Sequence, residues 1–301
     1  MEMYIWNTVI VLSKILFYVG FACIAGYTFF SQFFNQVESD NKLKIEQLKL
    51  FNWVKVSVVA ALIANVISFF ASTGAMAEEG IQGAFDPDML DIMWDSSIGD
   101  GTLLRIIGLT LTILALVLPF RFRSTALSNC LKQGILMFSL LTLAYSYTLL
   151  GHVSELGVFE RALLIFHVLV MAWWFGALFP LKQACHVLDD DKLYLLMETF
   201  GKQASVVVSL LLLAGLLLAI QLVSSVEALL TSSYGQTLLL KLLFVISILA
   251  IAVKHKLKLV PQIKNNDGRK ALSKSISIEM LIAVAILFIS AGLTSVVGPS
   301  N

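Results

Sequence analysis

The chain has 301 residues, of which 58% are hydrophobic and only 14% are charged, and its formal net charge is +1. Soluble proteins carry about 25% charged residues, so the composition excludes an ordinary soluble domain, and it gives no indication of a nucleic-acid partner. A helix crosses the hydrocarbon core of a bilayer with about 20 apolar residues. Eight stretches are long enough, and they are residues 7–33, 52–75, 102–120, 130–151, 161–181, 203–226, 236–253 and 275–297. Runs of this length are typical of helices rather than of barrel strands, so the sequence predicts an all-α integral membrane protein with eight transmembrane helices.

Basic residues concentrate in the connections that follow the first, third, fifth and seventh spans, above all between Lys254 and Lys274. By the positive-inside rule, both termini should then lie outside, on the periplasmic side of a bacterial inner (plasma) membrane. The outer connection 73–101 holds seven acidic residues and no Lys or Arg. We interpret it either as a solvated acidic loop or as a surface that collects cations, where the thioethers of Met89 and Met93 would capture metal.

Two segments of the sequence repeat each other. SSIGDGTLLR (96–105) and SSYGQTLLLK (232–241) match at the paired serines, at one glycine, at two leucines and at the final basic residue. They open the third and seventh spans, so the chain is predicted to form two four-helix halves, 1–151 and 152–301, arranged as a parallel repeat. A charge inside a span is costly, and we expect Arg105 and Lys241 to meet carboxylates or backbone carbonyls inside the bundle.

Two of the four histidines flank the connection between the fourth and fifth spans. His152 ends one span, and His167 lies about two turns into the next, where Met171 and Trp174 follow on the same helical face. Imidazole and thioether ligands together favour copper, especially Cu(I), so His152, His167 and Met171 are candidate metal ligands, with Glu155 beside them. The alternative is that each imidazole fills space and bonds a carbonyl. At the other membrane face, Cys185 and His186 are candidate exit ligands, although a reduced thiol and a solvated histidine explain them equally well.

Three segments carry a resemblance to a known family. They are TSSYGQTLLLKLLF (231–244), SIEMLIAVAILFISAGLTSVVGP (277–299) and FHVLVMAWWFGALFPL (166–181). Together they resemble the copper resistance protein D (CopD) family, with a CopD-like domain over about 200–298. The resemblance implies an eight-helix inner-membrane protein that imports copper from the periplasm, often with a small periplasmic copper-binding partner (CopC). It also implies that His152, His167 and Trp174 belong to the site, and that Arg105, Lys241 and Glu279 are framework positions.

The leading hypothesis is a copper transporter that is not an enzyme, because the sequence has neither a His-Glu-x-x-His nor a Gly-x-Ser-x-Gly motif. Two alternatives stay open. One is a membrane oxidoreductase with b-type haem, which would need two histidines at similar depth on facing helices. The other is a copper-sensing or assembly partner of a periplasmic protein that transports nothing itself.

Overall fold

The structure is a computed structural model that describes residues 2–36, 41–117, 126–150, 157–222 and 225–297, and nearly all of these residues are helical. The α-helices are α1 (Glu2–Gln36), α2 (Asn41–Ala77), α3 (Gly80–Gly83), α4 (Pro87–Trp94), α5 (Ser97–Val117), α6 (Ala126–Tyr145), α7 (Val158–Val187), α8 (Asp190–Leu222), α9 (Val226–Thr231), α10 (Ser233–Lys254) and α11 (Asn266–Gly292). A 3₁₀ turn, Ser146–Leu149, follows α6. Two π-helical turns follow α10 and α11, at His255–Leu259 and Leu293–Val297.

Seven helices are long and apolar enough to cross a membrane, counted over the described ranges. They are Glu2–Phe30, Lys49–Ala77, Ser97–Val117, Val158–Val187, Asp190–Gln221, Ser233–Leu259 and Asp267–Ser295. The remaining predicted span, 130–151, falls on α6 and its 3₁₀ turn, and α6 carries Asn129, Lys132 and Gln133 in its first half. The prediction of an all-helical protein with many membrane-spanning helices is therefore confirmed, whereas the eighth span, the repeat and the orientation stay predictions.

The connection 73–101 is largely helical rather than an extended loop. It turns at Glu78 and Gly80, which adopt positive φ angles of 55° and 65°. Asp86 then caps α4, because its Oδ1 accepts a hydrogen bond of 2.9 Å from the backbone N–H of Met89, and Pro87 occupies the first helical position. We call this end of the bundle, where α1 and α5 begin, the acidic end, and the end that carries the α10–α11 connection the basic end.

Helix α1 is packed against α2, α6, α7 and α11. It crosses α7 at positions without bulky side chains, because a Cβ atom on Gly26 would collide with the backbone of Gly176, and one on Gly176 would collide with the carbonyl of Ala22. Small residues allow helix backbones to approach closely inside a membrane. Since α1 lies in the first predicted half and α7 in the second, this crossing is a close contact between the two predicted halves.

Helices α5 and α6 are joined by a buried polar contact. The hydroxyl of Ser139 donates to the carbonyl of Gly108 over 2.6 Å, and it also lies 2.5 Å from the hydroxyl of Thr112. The Thr112 hydroxyl in turn donates to the same carbonyl over 3.0 Å. Because hydrocarbon offers no alternative partners, these hydrogen bonds hold the two helices in one register.

Candidate functional site

His167 faces the neighbouring helix α8 at a position without a side chain. A Cβ atom built on Gly215 would lie 3.4 Å from the imidazole Cε1 and 3.6 Å from Nδ1. The Nδ1 atom is buried and has no hydrogen-bond partner among the described residues. The charge of Lys241, on α10, acts on the same ring. A buried imidazole nitrogen without a partner is costly, which makes His167 a candidate ligand-binding residue.

The other predicted ligands of this site are placed differently. Met171, one turn further along α7, is partly buried and packs against the core. His152 and Glu155 belong to residues 151–156, which lie outside the described residues, so the approach of the two imidazoles stays a prediction. The last described residue before them, Leu150, packs against α5, where a Cβ atom on Gly101 would lie 3.3 Å from its Cδ1.

Trp174 was expected to share a face with His167, and its partner is on α11. Its indole N–H donates a hydrogen bond to the carboxyl group of Glu279, and both residues are buried. A position that the resemblance assigned to the site is thus brought together with one that it assigned to the framework. The contact joins α7 to α11 inside the second predicted half.

Arg105 is buried, with 7% of its surface exposed, and among the described residues it contacts aromatic rings rather than carboxylates. Its guanidinium carbon lies 4.5 Å from the ring centre of Phe17 and 5.6 Å from that of Tyr147. Its Nε donates to the hydroxyl of Ser146 over 3.1 Å, and Tyr147 stacks on Tyr18 of α1 with 5.7 Å between ring centroids. Cation–π contacts of this kind stabilise a desolvated guanidinium, and the sequence pattern gave no sign of them.

Among the proposed capture and exit residues, one at each end is buried. Met93 is buried, with 2% of its surface exposed, and Met89 lies one turn away on α4. At the basic end, Cys185 is 1% exposed. His186 is exposed, and its Nε2 lies 3.1 Å from the hydroxyl of Ser273. No three His, Cys, Asp or Glu side chains come together as a metal site in the part of the chain that the structure describes.

Comparison with known proteins identifies the family. Residues 194–293 match copper resistance protein D, and residues 3–160 match the N-terminal domain of copper resistance protein D-like proteins. The chain belongs to the copper resistance protein D family. The predicted resemblance is therefore confirmed, and it extends over both parts of the chain.

A curated relative of this family member is the copper transport protein CutJ of Bacillus subtilis (strain 168). The two are 22% identical over 294 residues, which is 95% of this chain and 52% of the relative. The chain thus spans about half the length of the curated relative that it matches. No solved structure matches the chain significantly.

Proposed function

We propose that the chain moves copper across the bacterial inner membrane as a multi-pass protein, from the periplasm towards the cytoplasm, and that it catalyses no reaction. The family membership supports copper handling, and the printed name of the B. subtilis relative supports transport. The observation that carries the proposal is the buried Nδ1 of His167, which has no protein partner in the described ranges. Copper is the substrate here, in the Cu(I) state.

The first copper site consists of His167 and Met171, completed by His152 from the segment after Leu150. Imidazole and thioether ligands suit Cu(I), which binds a small number of ligands and prefers soft ones. Glu155 lies beside His152 in the sequence and would orient it. A small periplasmic copper-binding protein of the CopC type would deliver the ion at the acidic end, where exposed carboxylates of α4 attract cations.

The positive charge of Lys241 lowers the affinity of this site for copper, which suits transport. Its charge acts on the His167 ring, so it opposes any cation that binds there. A transport site must bind its ion strongly enough to admit it and weakly enough to release it. Cys185 and His186 would receive the ion at the basic end, and because Cys185 is buried, copper would reach that thiol from within the bundle.

The proposal is tested by copper uptake into vesicles that contain the purified full chain. Replacing His167 by Asn, or Met171 by Leu, should reduce uptake at least about tenfold, because even the loss of a residue that only supports a metal ligand costs about 10–100-fold. Met137→Leu is the matched control, because Met137 is exposed on α6. Thermal unfolding of each variant separates a lost site from a lost fold.

Other results would favour the alternatives. Wild-type vesicles without copper uptake, together with capture of a periplasmic copper-binding protein, would support a partner that does not transport. A Soret absorption band in the purified protein would support the haem oxidoreductase. Unchanged uptake in the His167 variant would exclude that residue from the path.

A further inference from the structure

A buried acid–base pair lies near the basic end, and neither of its residues is among the copper ligands proposed above. The Nδ1 atom of His255, which follows α10, lies 3.4 Å from Oε2 of Glu279 on α11. Only 15% of the His255 side chain and 4% of the Glu279 side chain are exposed. An ionisable pair inside a membrane bundle is costly and therefore indicates a function.

The groups around the pair are uncharged. The indole of Trp174, on α7, donates to the Glu279 carboxyl group, and the hydroxyl of Ser275 lies 2.8 Å from Nε2 of His255. These contacts give the Trp174 indole, the His255 imidazole and the Glu279 carboxyl group fixed partners. They hold the side chains in place without supplying a balancing charge.

The charged side chains on the neighbouring elements are exposed or bonded to other residues. Lys254 acts electrostatically on the His255 ring but its side chain is exposed, as is that of Lys274 on α11. On α1, the thiol of Cys23 bonds to residues of α2, and the hydroxyl of Tyr27 accepts from Lys132 of α6 over 2.9 Å. No Lys or Arg forms an ion pair with Glu279 within the described ranges, so His255 is its only basic partner there.

This arrangement favours one shared proton. With one proton, the pair is neutral overall, either as imidazole and carboxylic acid or as imidazolium and carboxylate. With no proton it carries an uncompensated negative charge, and with two it carries a positive one, and both are costly when buried. A second cation that comes close changes this balance, because it stabilises the negative state through space.

We propose that His255 and Glu279 form a proton-binding site that releases its proton to water at the basic end when copper occupies the bundle. This inference rests on the proposed function, and it adds the ion that exchanges with copper. The proton leaves from His255, whose neighbours Lys254 and Lys256 are exposed to water, and the Glu279 carboxylate that remains balances the copper charge. The proton returns to the same pair from water when copper leaves, so no electrons are transferred and no other bond changes.

The alternative explanations differ in what they predict. A purely structural pair would keep its proton whether or not copper is bound. A metal site at this position would require further ligands, and no third His, Cys, Asp or Glu joins the pair in the ranges that the structure describes.

The test measures the affinity of the purified full chain for Cu(I) against a chelator of known affinity, as a function of pH and without oxygen. For each proton that copper displaces, the affinity for Cu(I) rises by about tenfold for every unit of increase in pH. The Cu(I) affinity of wild type should therefore rise with pH more steeply than that of Glu279→Gln, by an additional factor of about ten per pH unit. Glu198→Gln is the matched control, because Glu198 forms an exposed pair with Lys202, and it should behave as wild type.

Infrared spectroscopy, started from the metal-depleted protein, gives a second readout that does not depend on measuring an affinity. Addition of copper should change a carboxyl signal that Glu279→Gln lacks and Glu198→Gln retains. Equal pH slopes in wild type and Glu279→Gln, or a carboxyl signal that copper leaves unchanged, would overturn the proposal. Wild-type protein that binds no copper would overturn the proposed function, and the exchange with it, whereas copper binding without the slope would overturn only the exchange.

Discussion

The ammonium group of Lys14, in α1, donates a hydrogen bond of 3.1 Å to the backbone carbonyl of Thr294, in the π-helical turn after α11. The bond joins the first helix of the chain to the last. The structure thus places the charge of Lys14 against a backbone carbonyl. A charged donor contributes more than a neutral one to such a bond.

We expect Lys14→Met to lower the free energy of unfolding by about 1–3 kcal/mol, the usual contribution of a hydrogen bond to a charged group. The reason is that methionine keeps most of the side-chain volume but cannot donate to the Thr294 carbonyl. Thermal unfolding in detergent measures the change. Lys202→Met is the control, because Lys202 pairs with Glu198 on the surface; a loss as large as that of Lys14→Met would contradict the assignment.

The crossing of α1 and α7 should not tolerate a side chain. Gly176→Ala should destabilise the protein by about 1–3 kcal/mol, the typical cost of forcing an extra methyl group into a packed contact. Gly201→Ala, on α8, should leave stability unchanged or raise it slightly, because its Cβ atom would meet nothing within 4 Å and alanine favours helix. Because the expected changes in stability have opposite signs, unfolding curves of the two variants are a sufficient test. A change of the same sign in both variants would be inconsistent with the crossing.

Arginine, rather than a positive charge alone, is required at position 105. Arg105→Lys should cost about 1–3 kcal/mol, because lysine loses the planar contact with Phe17 and the Nε bond to Ser146. Phe17→Leu removes the ring, so Arg105→Lys should then cost less. A double-mutant cycle measured by chemical unfolding gives the coupling between the two residues, and a coupling of zero would show that the ring contributes nothing.

Removing the charge of Lys241 should strengthen copper binding. Lys241→Gln is expected to raise the Cu(I) affinity of the full chain by about tenfold, which corresponds to ~1.4 kcal/mol of relieved repulsion. Transport should become slower at the same time, since tighter binding delays release. Competition with a Cu(I) chelator measures the affinity, with Lys202→Gln as control. If Lys241→Gln bound copper as wild type does, the lysine would have no influence on the His167 site.

The helices could be predicted from the sequence because length and apolar composition decide membrane insertion locally. The 3.6-residue period also places Met171 and Trp174 on one side of α7 with His167. It does not show which neighbouring helix each side chain meets, and the structure directs His167 to α8 and Trp174 to α11. Such contacts depend on how helices turn about their axes, which packing decides.

The burial of two residues in charged segments could not be predicted from the sequence. His255 lies in a lysine-rich segment and reads as a solvated residue, yet it is joined to Glu279 and Ser275 across the α10–α11 hairpin. Met93 lies in an acidic connection and reads as exposed, but α4 folds back and buries it. In both cases composition describes the neighbourhood in the sequence, whereas burial depends on neighbours in space.

The close approach at Gly26 and Gly176 would be the natural pivot for any tilt of α7 against α1. His167 lies nine residues before Gly176 and His186 ten residues after it, so at 1.5 Å per residue each is about 14–15 Å from the crossing. A tilt of α7 by ~10° about this point would carry the two imidazoles about 2–3 Å in opposite directions. Such a tilt would open the bundle at one membrane face as it narrows the bundle at the other, while the crossing point stays in place.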